Sequence, residues 1–266
     1  MAGVAQLLFE HGANILHAEQ HRDSGPGQFH QRVEFETDPA CDTDTMHAEF
    51  LEMAEAFGMR WEHYDAATRV RLAIFASHTA HCLHDLLWRH RSGELPCDIP
   101  LVVSNHDKLR DVAALYGAAF HAIPVTPKTK PAAEARQLAL LAEHRVDLIV
   151  SADYRQIYSP DFVARWPNRI INIHQSFLPA FPGENAYGKA YERGVKLIGA
   201  TSHYITAELD AGPIIAQDVV HVSHRHTPED LKRLGRDVER RVLAAAVLAH
   251  VQRRVLVTGA KTVVFS

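Results

Sequence analysis

Only three cysteines, Cys41, Cys82 and Cys97, occur in 266 residues, scattered, odd in number and without any C-x-x-C spacing. That scarcity excludes a disulfide framework or a thiolate zinc site as the organising device and fits a reducing cytoplasm. Long apolar runs are missing too. None approaches the roughly 20 residues a membrane helix needs, and the N-terminus lacks a basic-then-apolar leader pattern. Neither sign of charge dominates: 28 Lys+Arg against 32 Asp+Glu leave a formal net charge of −4. No broad field therefore exists to draw in nucleic acid or an anionic membrane. Internal repeats and low-complexity linkers are also absent from the sequence.

What is present is core-forming material. Hydrophobic residues make up 47% and charged residues 23%, enough to bury a sizeable core in one large or two modest domains. Nineteen histidines are many for this length. Many of them, such as His17, His21, His30 and His47, sit among polar neighbours and read as solvated surface. The cluster His221, His224 and His226 has no acidic or cysteine partner beside it, so it reads as a strand end and loop rather than a metal site.

Two units follow from the patterning. Residues 3–12 predict a short amphipathic helix ending at Gly12, a C-cap residue. A strand over Asn14–His21, a turn over Asp23–Gly27 and an alternating strand over Phe29–Glu36 come next, with Val33 and Phe35 on one face and Arg32 and Glu34 on the other. Thr43–Phe57 has helical spacing, with Met46, Phe50, Met53 and Phe57 on one stripe, and Arg60–Tyr64 predicts a last short strand. The first unit thus spans residues 1–65 and the second 69–266, with the boundary near Asp65–Thr68. From Val70 onward, apolar strands alternate with helices: Val70–Ser77, Ile99–Ser104, Ala118–Ile123, Val146–Val150 and Ile170–Ile173 are the strands. That order indicates a parallel sheet covered on both faces. Ile198–Ile205 and Ile214–Val222 look antiparallel, Asp230–His250 is a long amphipathic helix, and Val255–Phe265 makes one or two short strands.

Chemistry concentrates in two segments. In Ile170–Pro179, an apolar strand runs into Asn172 and His174, which share a side because strand side chains alternate with a period of two. Ligand sites in open parallel sheets lie at the carboxyl ends of strands, which makes this a sensible address for a site. Taken alone, an amide and an imidazole at a strand end can equally satisfy backbone groups. The second segment, Gly199–Tyr204 followed by Glu208–Ile215, puts Asp210 before a Gly-Pro turn, which by itself describes an ordinary loop aspartate.

Together, Asn172-x-His174 and Asp210-x-Gly212-x-Ile214-Ile215 resemble the folate-dependent formyltransferase and deformylase superfamily. The stretches His81–Leu83, Asp85–Leu87, Ser104–His106, Ile171–Leu178, Ala190–Thr201, Gly235–Val242 and Lys261–Phe265 are similar to formyltetrahydrofolate deformylases more narrowly, over nearly the whole chain. The resemblance implies an α/β architecture: a truncated ACT-like α+β domain followed by a Rossmann-like, mostly parallel, formyltransferase-type domain. It implies Asn172, His174 and Asp210 as catalytic residues, and Arg155, Gln156, Ile157, Tyr158, Gln175, His203 and Glu208 as substrate-binding ones. It further implies hydrolysis of 10-formyltetrahydrofolate to tetrahydrofolate and formate, in one-carbon and purine metabolism. The folate would be a substrate, with no metal and no permanently bound cofactor, in a cytoplasmic homo-oligomer with no nucleic-acid or membrane partner. Hydrolysis rather than transfer rests on Ser77–Cys82, which has no glycine where a phosphate-binding loop would need one.

The chain departs from that pattern at several positions. Gln175 follows the strand histidine where the family has histidine, and Gly183–Ala190 differs from the family's G-A-x-P-Y-H-Q-A. Arg155 and Tyr158 stand where Met and Leu are usual, adding charge and bulk beside the expected pterin. The alternative reading is therefore a formyltransferase or deformylase acting on a different formyl compound; a silent binding protein is disfavoured by the intact Asn172, His174 and Asp210. No counterpart of the family's first ACT strand and its Cys-Pro-Asp-like turn precedes Gly3. That predicts an exposed sheet edge, a weak regulatory site and a structural or oligomerising role for residues 1–65.

Overall fold

The computed structural model describes residues 2–23, 27–181, 183 and 185–266, and they divide into two compact units, Met1–Thr68 with Phe265–Ser266, and Arg69–Val264. In the first, α1 (Ala2–Glu10), β1 (Asn14–Arg22), β2 (Phe29–Glu36) and α2 (Thr43–Ala56) follow in order. The two strands form one antiparallel pair. Val33 and Phe35 pack with Leu7, Leu8, Met46, Phe50 and Met53 into a small core, while Arg32 and Glu34 pair at 3.0 Å on the other face. Alternation along β2 thus decides which side chains are buried. Asp42 caps α2 through the Thr45 N–H, satisfying one orphan donor of the first turn.

Three expectations fail in this unit. His30, read as solvated surface, is buried. Arg60–Tyr64 is not a strand; Trp61 instead stacks edge-on against Phe50 and His47, so aromatic packing replaces sheet pairing there. Phe57 lies outside the helical stripe and is exposed, because it is the C-cap where α2 ends. The middle of the expected turn over Asp23–Gly27, residues 24–26, lies outside the described residues.

The second unit carries β3 (Val70–Ala76), α3 (His81–Ser92), β4 (Cys97–Ser104), α4 (Arg110–Leu115), β5 (Ala119–Ala122), α5 (Lys130–Glu143), β6 (Leu148–Ser151), α6 (Pro160–Ala164) and β7 (Ile170–His174). It continues with α7 (Ala186–Arg193), β8 (Leu197–Tyr204), β9 (Ile214–His221), α8 (Pro228–Val251), β10 (Val255–Thr258) and β11 (Lys261–Val264). Its seven-stranded sheet has the order β5-β4-β3-β6-β7-β8-β9. The pairs from β5 to β7 are parallel, and β8 and β9 add as an antiparallel edge; β10 and β11 form a separate hairpin.

Both faces of the sheet are buried, which is why its central strands are apolar throughout. Leu72, Ile74, Ile171 and Ile173 face one core, under Leu83 and Leu86 of α3 and Val238, Val242 and Val247 of α8. Ala73, Phe75, Ile149 and Ile170 face the other, under Leu140 of α5 and Phe162 of α6. Since Ile171 and Ile173 take the first face, Asn172 and His174 emerge on the second. Within the sheet the chain starts in β3, runs outward to β5, then crosses back to β6 on the other side of β3, so the strand order reverses between β3 and β6. Crevices for ligands form at such a reversal, outside the carboxyl ends of the strands.

α8 is the longest helix and starts at a full capping box: Thr227 accepts from the Asp230 N–H while Asp230 accepts from the Thr227 N–H, with Pro228 in the first turn. Near its other end, the Tyr204 hydroxyl and Nδ1 of His250 share a hydrogen bond of 2.6 Å. No described helix is long and apolar enough to cross a membrane. All three cysteines are free, and Cys82 and Cys97 are buried.

Burial, reinforced by the Arg253 charge, lowers the His250 pKa from 6.5 to about 4. Between those values the unfolded chain binds a proton that the native chain refuses, so native stability falls as pH falls, by about 1.4 kcal/mol per pH unit for one proton. Equilibrium unfolding followed from pH 7 to pH 4 should show this slope. His250→Gln, which keeps an acceptor for Tyr204, should reduce it by about one proton; an unchanged slope would show that His250 is not the titrating group.

Candidate active site

The register between β7 and β8 assembles the site. Asn172 lies opposite His203, and His174 opposite Thr201. Side chains directly opposite on one face of an antiparallel pair have Cβ atoms about 5 Å apart, so the amide meets the imidazole across the strands: Asn172 Nδ2 is 3.3 Å from His203 Nε2. His203 Nδ1 donates to the Tyr204 carbonyl at 2.9 Å. That bond leaves Nε2 as the acceptor and turns the Asn172 NH2 toward it, with the second N–H of the amide left to donate elsewhere. Burial pushes the His203 pKa down, against the opposing pull of the Tyr204 carbonyl and the Asp210 charge, which keeps this acceptor form.

Asp210 arrives from the turn between β8 and β9. Its backbone is left-handed, with φ 56°, a conformation Asp tolerates better than most residues. Gly212 then passes so close under the Tyr204 carbonyl that a Cβ there would collide with it. Together they aim the carboxylate inward. Asp210 Oδ1 lies 3.4 Å from His174 Nδ1 and 3.9 Å from His203 Nε2, and Oδ2 accepts the Gly183 N–H at 3.1 Å. The His174 imidazole holds the Asp210 carboxyl below its usual range, outweighing desolvation. On its other side, His174 Nε2 is 3.3 Å from the Phe181 carbonyl.

The loop after β7 is fixed at its start by Thr201. Its hydroxyl donates to the Ser176 carbonyl and accepts the Leu178 N–H, while Gln217 donates to the Leu178 carbonyl at 3.0 Å. Ser176 in turn donates to the Ala180 carbonyl. Beside it, Ser77 donates to Asn105 and accepts the Arg155 N–H, tying together the segments after β3, β4 and β6. Thr79 bonds to the buried carboxylate of Asp153, which also pairs with Arg155 at 3.1 Å.

The residues expected at the site therefore fall into three groups. Asn172, His174, Asp210 and His203 converge. Gln175 is half-buried at the end of β7, and Arg155, Gln156 and Ile157 line the segment after β6, with Arg155 and Ile157 exposed. Glu208 is exposed in the turn before Asp210. Tyr158 departs from the expectation: it is only 7% exposed and stacks on Phe162 and against Phe75 in the core. Its bulk fills the interior rather than a ligand crevice. Sequence reasoning missed the Gly183 N–H on Asp210, and nothing in the pattern marks a backbone donor beyond the glycine itself. It also missed Ser77, Asn105 and Asp153, whose polar side chains at successive strand ends were the available signal.

Comparison with known proteins identifies the family of the chain. The family model described as "Formyl transferase" matches residues 70–247. The formyltetrahydrofolate deformylase of Synechocystis sp. is 50% identical, over 100% of this chain and 94% of that protein. The crystal structure of a formyltetrahydrofolate deformylase from Pseudomonas syringae pv. tomato superposes with a TM-score of 0.96 at 46% identity, covering 100% of this chain and 89% of that one. Glycinamide ribonucleotide transformylase 1 from Symbiobacterium toebii gives a TM-score of 0.71 at 31% identity, over 77% of this chain and 99% of that one. With half its residues shared along its whole length, this chain belongs to the formyltetrahydrofolate deformylase family.

Proposed function

We propose that the chain hydrolyses 10-formyltetrahydrofolate to tetrahydrofolate and formate, with Asn172, His174 and Asp210 as its catalytic residues. The observation that carries this reading is that Asn172 Nδ2 lies 3.3 Å from His203 Nε2 while Asp210 Oδ1 lies 3.4 Å from His174 Nδ1 and 3.9 Å from His203 Nε2, which gathers an amide donor, an imidazole and an ionised carboxylate at the carboxyl end of β7. Those three groups match the needs of water attacking a formamide. The water oxygen bonds to the formyl carbon, its proton passes to Asp210, and the carbonyl oxygen takes up negative charge. Asn172 donates its second Nδ2 N–H to that oxygen, and His174 shares its Nε2–H between that oxygen and the Phe181 carbonyl; one such donor is worth about 3 kcal/mol in the transition state. Collapse breaks the C–N bond, the amine nitrogen takes the proton held by Asp210, and the product leaves as formic acid, which gives its remaining proton to solvent to become formate.

Water as the acceptor fits the segment after β3. A phosphorylated amine would call for a glycine-rich cradle there, whereas the His78 and His106 rings meet there at a 31° tilt with centroids 3.7 Å apart. The alternative of a different formyl carrier rested partly on the bulk of Tyr158. With that ring in the core, the argument weakens, and the deformylase names of the relatives favour folate. Arg155, Gln156, Ile157, Gln175 and Glu208 are proposed to contact the folate. For residues 1–65 we propose an ACT-like unit with an assembly role. Its β1 is exposed along nearly all its length, and Phe9, Leu16, Phe29 and Phe57 are exposed large apolar side chains. Exposed edges and apolar surface of this kind favour pairing with another chain.

Formate release from 10-formyltetrahydrofolate tests the central reading. Asp210→Asn should lower kcat by about 100- to 10,000-fold and Asn172→Ala by about 100- to 1,000-fold, with circular dichroism unchanged. Full activity in the folded Asp210→Asn protein would remove the carboxylate from the mechanism. For the assembly role, light scattering should give a mass of at least twice 29.7 kDa, and Phe9→Asp with Leu16→Asp should lower it. A monomeric wild type would refute that role.

A further inference from the structure

Three stretches of the chain serve no step of the chemistry above, yet they meet at one buried carboxylate. Glu239, on α8, has no solvent exposure. Burying an ionised carboxylate costs several kcal/mol unless it is paired and hydrogen-bonded. Here His81 Nε2, at the start of α3, lies 2.7 Å from Oε2, and the Tyr187 hydroxyl, on α7, donates to Oε1 at 2.5 Å. Gly235, one turn before Glu239 on α8, makes room for this: a Cβ there would run into the Tyr187 hydroxyl and ring. Burial and the neighbouring carboxylate push the Tyr187 phenol well above its usual range, so it remains a donor. Cys82 Sγ completes a group whose ligand atoms lie within 4.8 Å of one another. Burial also pushes that thiol up, and His81 is already engaged with Glu239, so the cluster works as a hydrogen-bonded knot.

Tyr187 follows directly on the loop that holds the catalytic groups. The Phe181 carbonyl faces His174 and the Gly183 N–H donates to Asp210. The first half of that loop is anchored by Thr201 and Gln217. Its second half runs into α7, whose N-cap, Asn185, is left-handed and makes no side-chain cap bond. The helix start is thus not held by its own capping, and the Glu239 bond to Tyr187 lies just beyond it.

We propose that Glu239, Tyr187 and His81 are positioning residues: they fix the start of α7, and through it the Phe181 carbonyl and Gly183 N–H that orient His174 and Asp210. This inference rests on the catalytic roles given above. Tyr187→Phe and Gly235→Ala reach the same loop by separate routes, one deleting the donor and the other displacing the ring. Both should lower kcat about tenfold per folded molecule, with KM within twofold of wild type, beyond whatever stability each substitution costs. Glu239→Leu should do the same, and Glu239→Gln, which keeps an acceptor for Tyr187, should restore at least half of kcat.

A readout independent of turnover is the imidazole NMR signal of His174, assigned by its loss in His174→Gln. Its chemical shift at a fixed pH should move in Tyr187→Phe by more than the width of the line. Absence of formate release by the wild type would sink the catalytic reading and leave this NMR comparison to decide the positioning role. An active wild type with unchanged kcat and an unmoved His174 signal in Tyr187→Phe would sink the positioning role alone. Losses of activity that merely track the folded fraction would likewise overturn it.

Discussion

The antiparallel register of β7 against β8 is the constraint on which the site depends. It sets Asn172 opposite His203, and a period of two then places His174 on the same face. A slip of one residue would turn Asn172 and His174 into the apolar core under α8 and bring Ile171 and Ile173 to the crevice. The register is secured by what lies beneath it. Ile171 and Ile173 are locked into the core with Val242 and Val247, and the Ser202 hydroxyl donates to the Asn172 carbonyl at 2.9 Å. Packing on one face of the strand thus dictates chemistry on the other.

Around that register, Asp210 is the group most dependent on its surroundings. Its approach needs a left-handed backbone at Asp210 itself and a glycine two residues later that can slide beneath a carbonyl. The same Tyr204 carbonyl accepts from His203 Nδ1, so the turn that delivers the carboxylate also sets the tautomer of the histidine facing Asn172. Positioning and protonation state are two results of one turn.

Much of this was legible in the chain. Strands buried on both faces carry unbroken apolar runs rather than alternation, which is why Leu72–Ala76 of β3, Ile99–Val103 of β4 and Leu148–Val150 of β6 stand out, and the Asn172-x-His174 spacing reveals a shared face without any tertiary knowledge. What was not legible depended on neighbours. Arg60–Tyr64 has the composition of a strand, yet Trp61 finds an aromatic partner in Phe50 and no strand to pair with. Tyr158 sits in a segment otherwise exposed, and only the packing of Phe75 and Phe162 shows that its ring turns inward. His203 could be named from its motif, but its bond to Asn172 follows from a register that no local pattern states. The knot at Glu239 joins residues 158 positions apart, a distance over which periodicity carries no information.

The central claim is that one carbonyl is held by Asn172 and His174 while water is held by Asp210. A crystal structure with a folate analogue bearing a non-hydrolysable carbonyl in place of the formamide tests it most directly. The account predicts the carbonyl oxygen within about 3.2 Å of Asn172 Nδ2, with a water between the carbonyl carbon and Asp210. An analogue bound with its carbonyl carbon beyond about 6 Å from both His174 and Asp210, too far for a single bridging water, would contradict it.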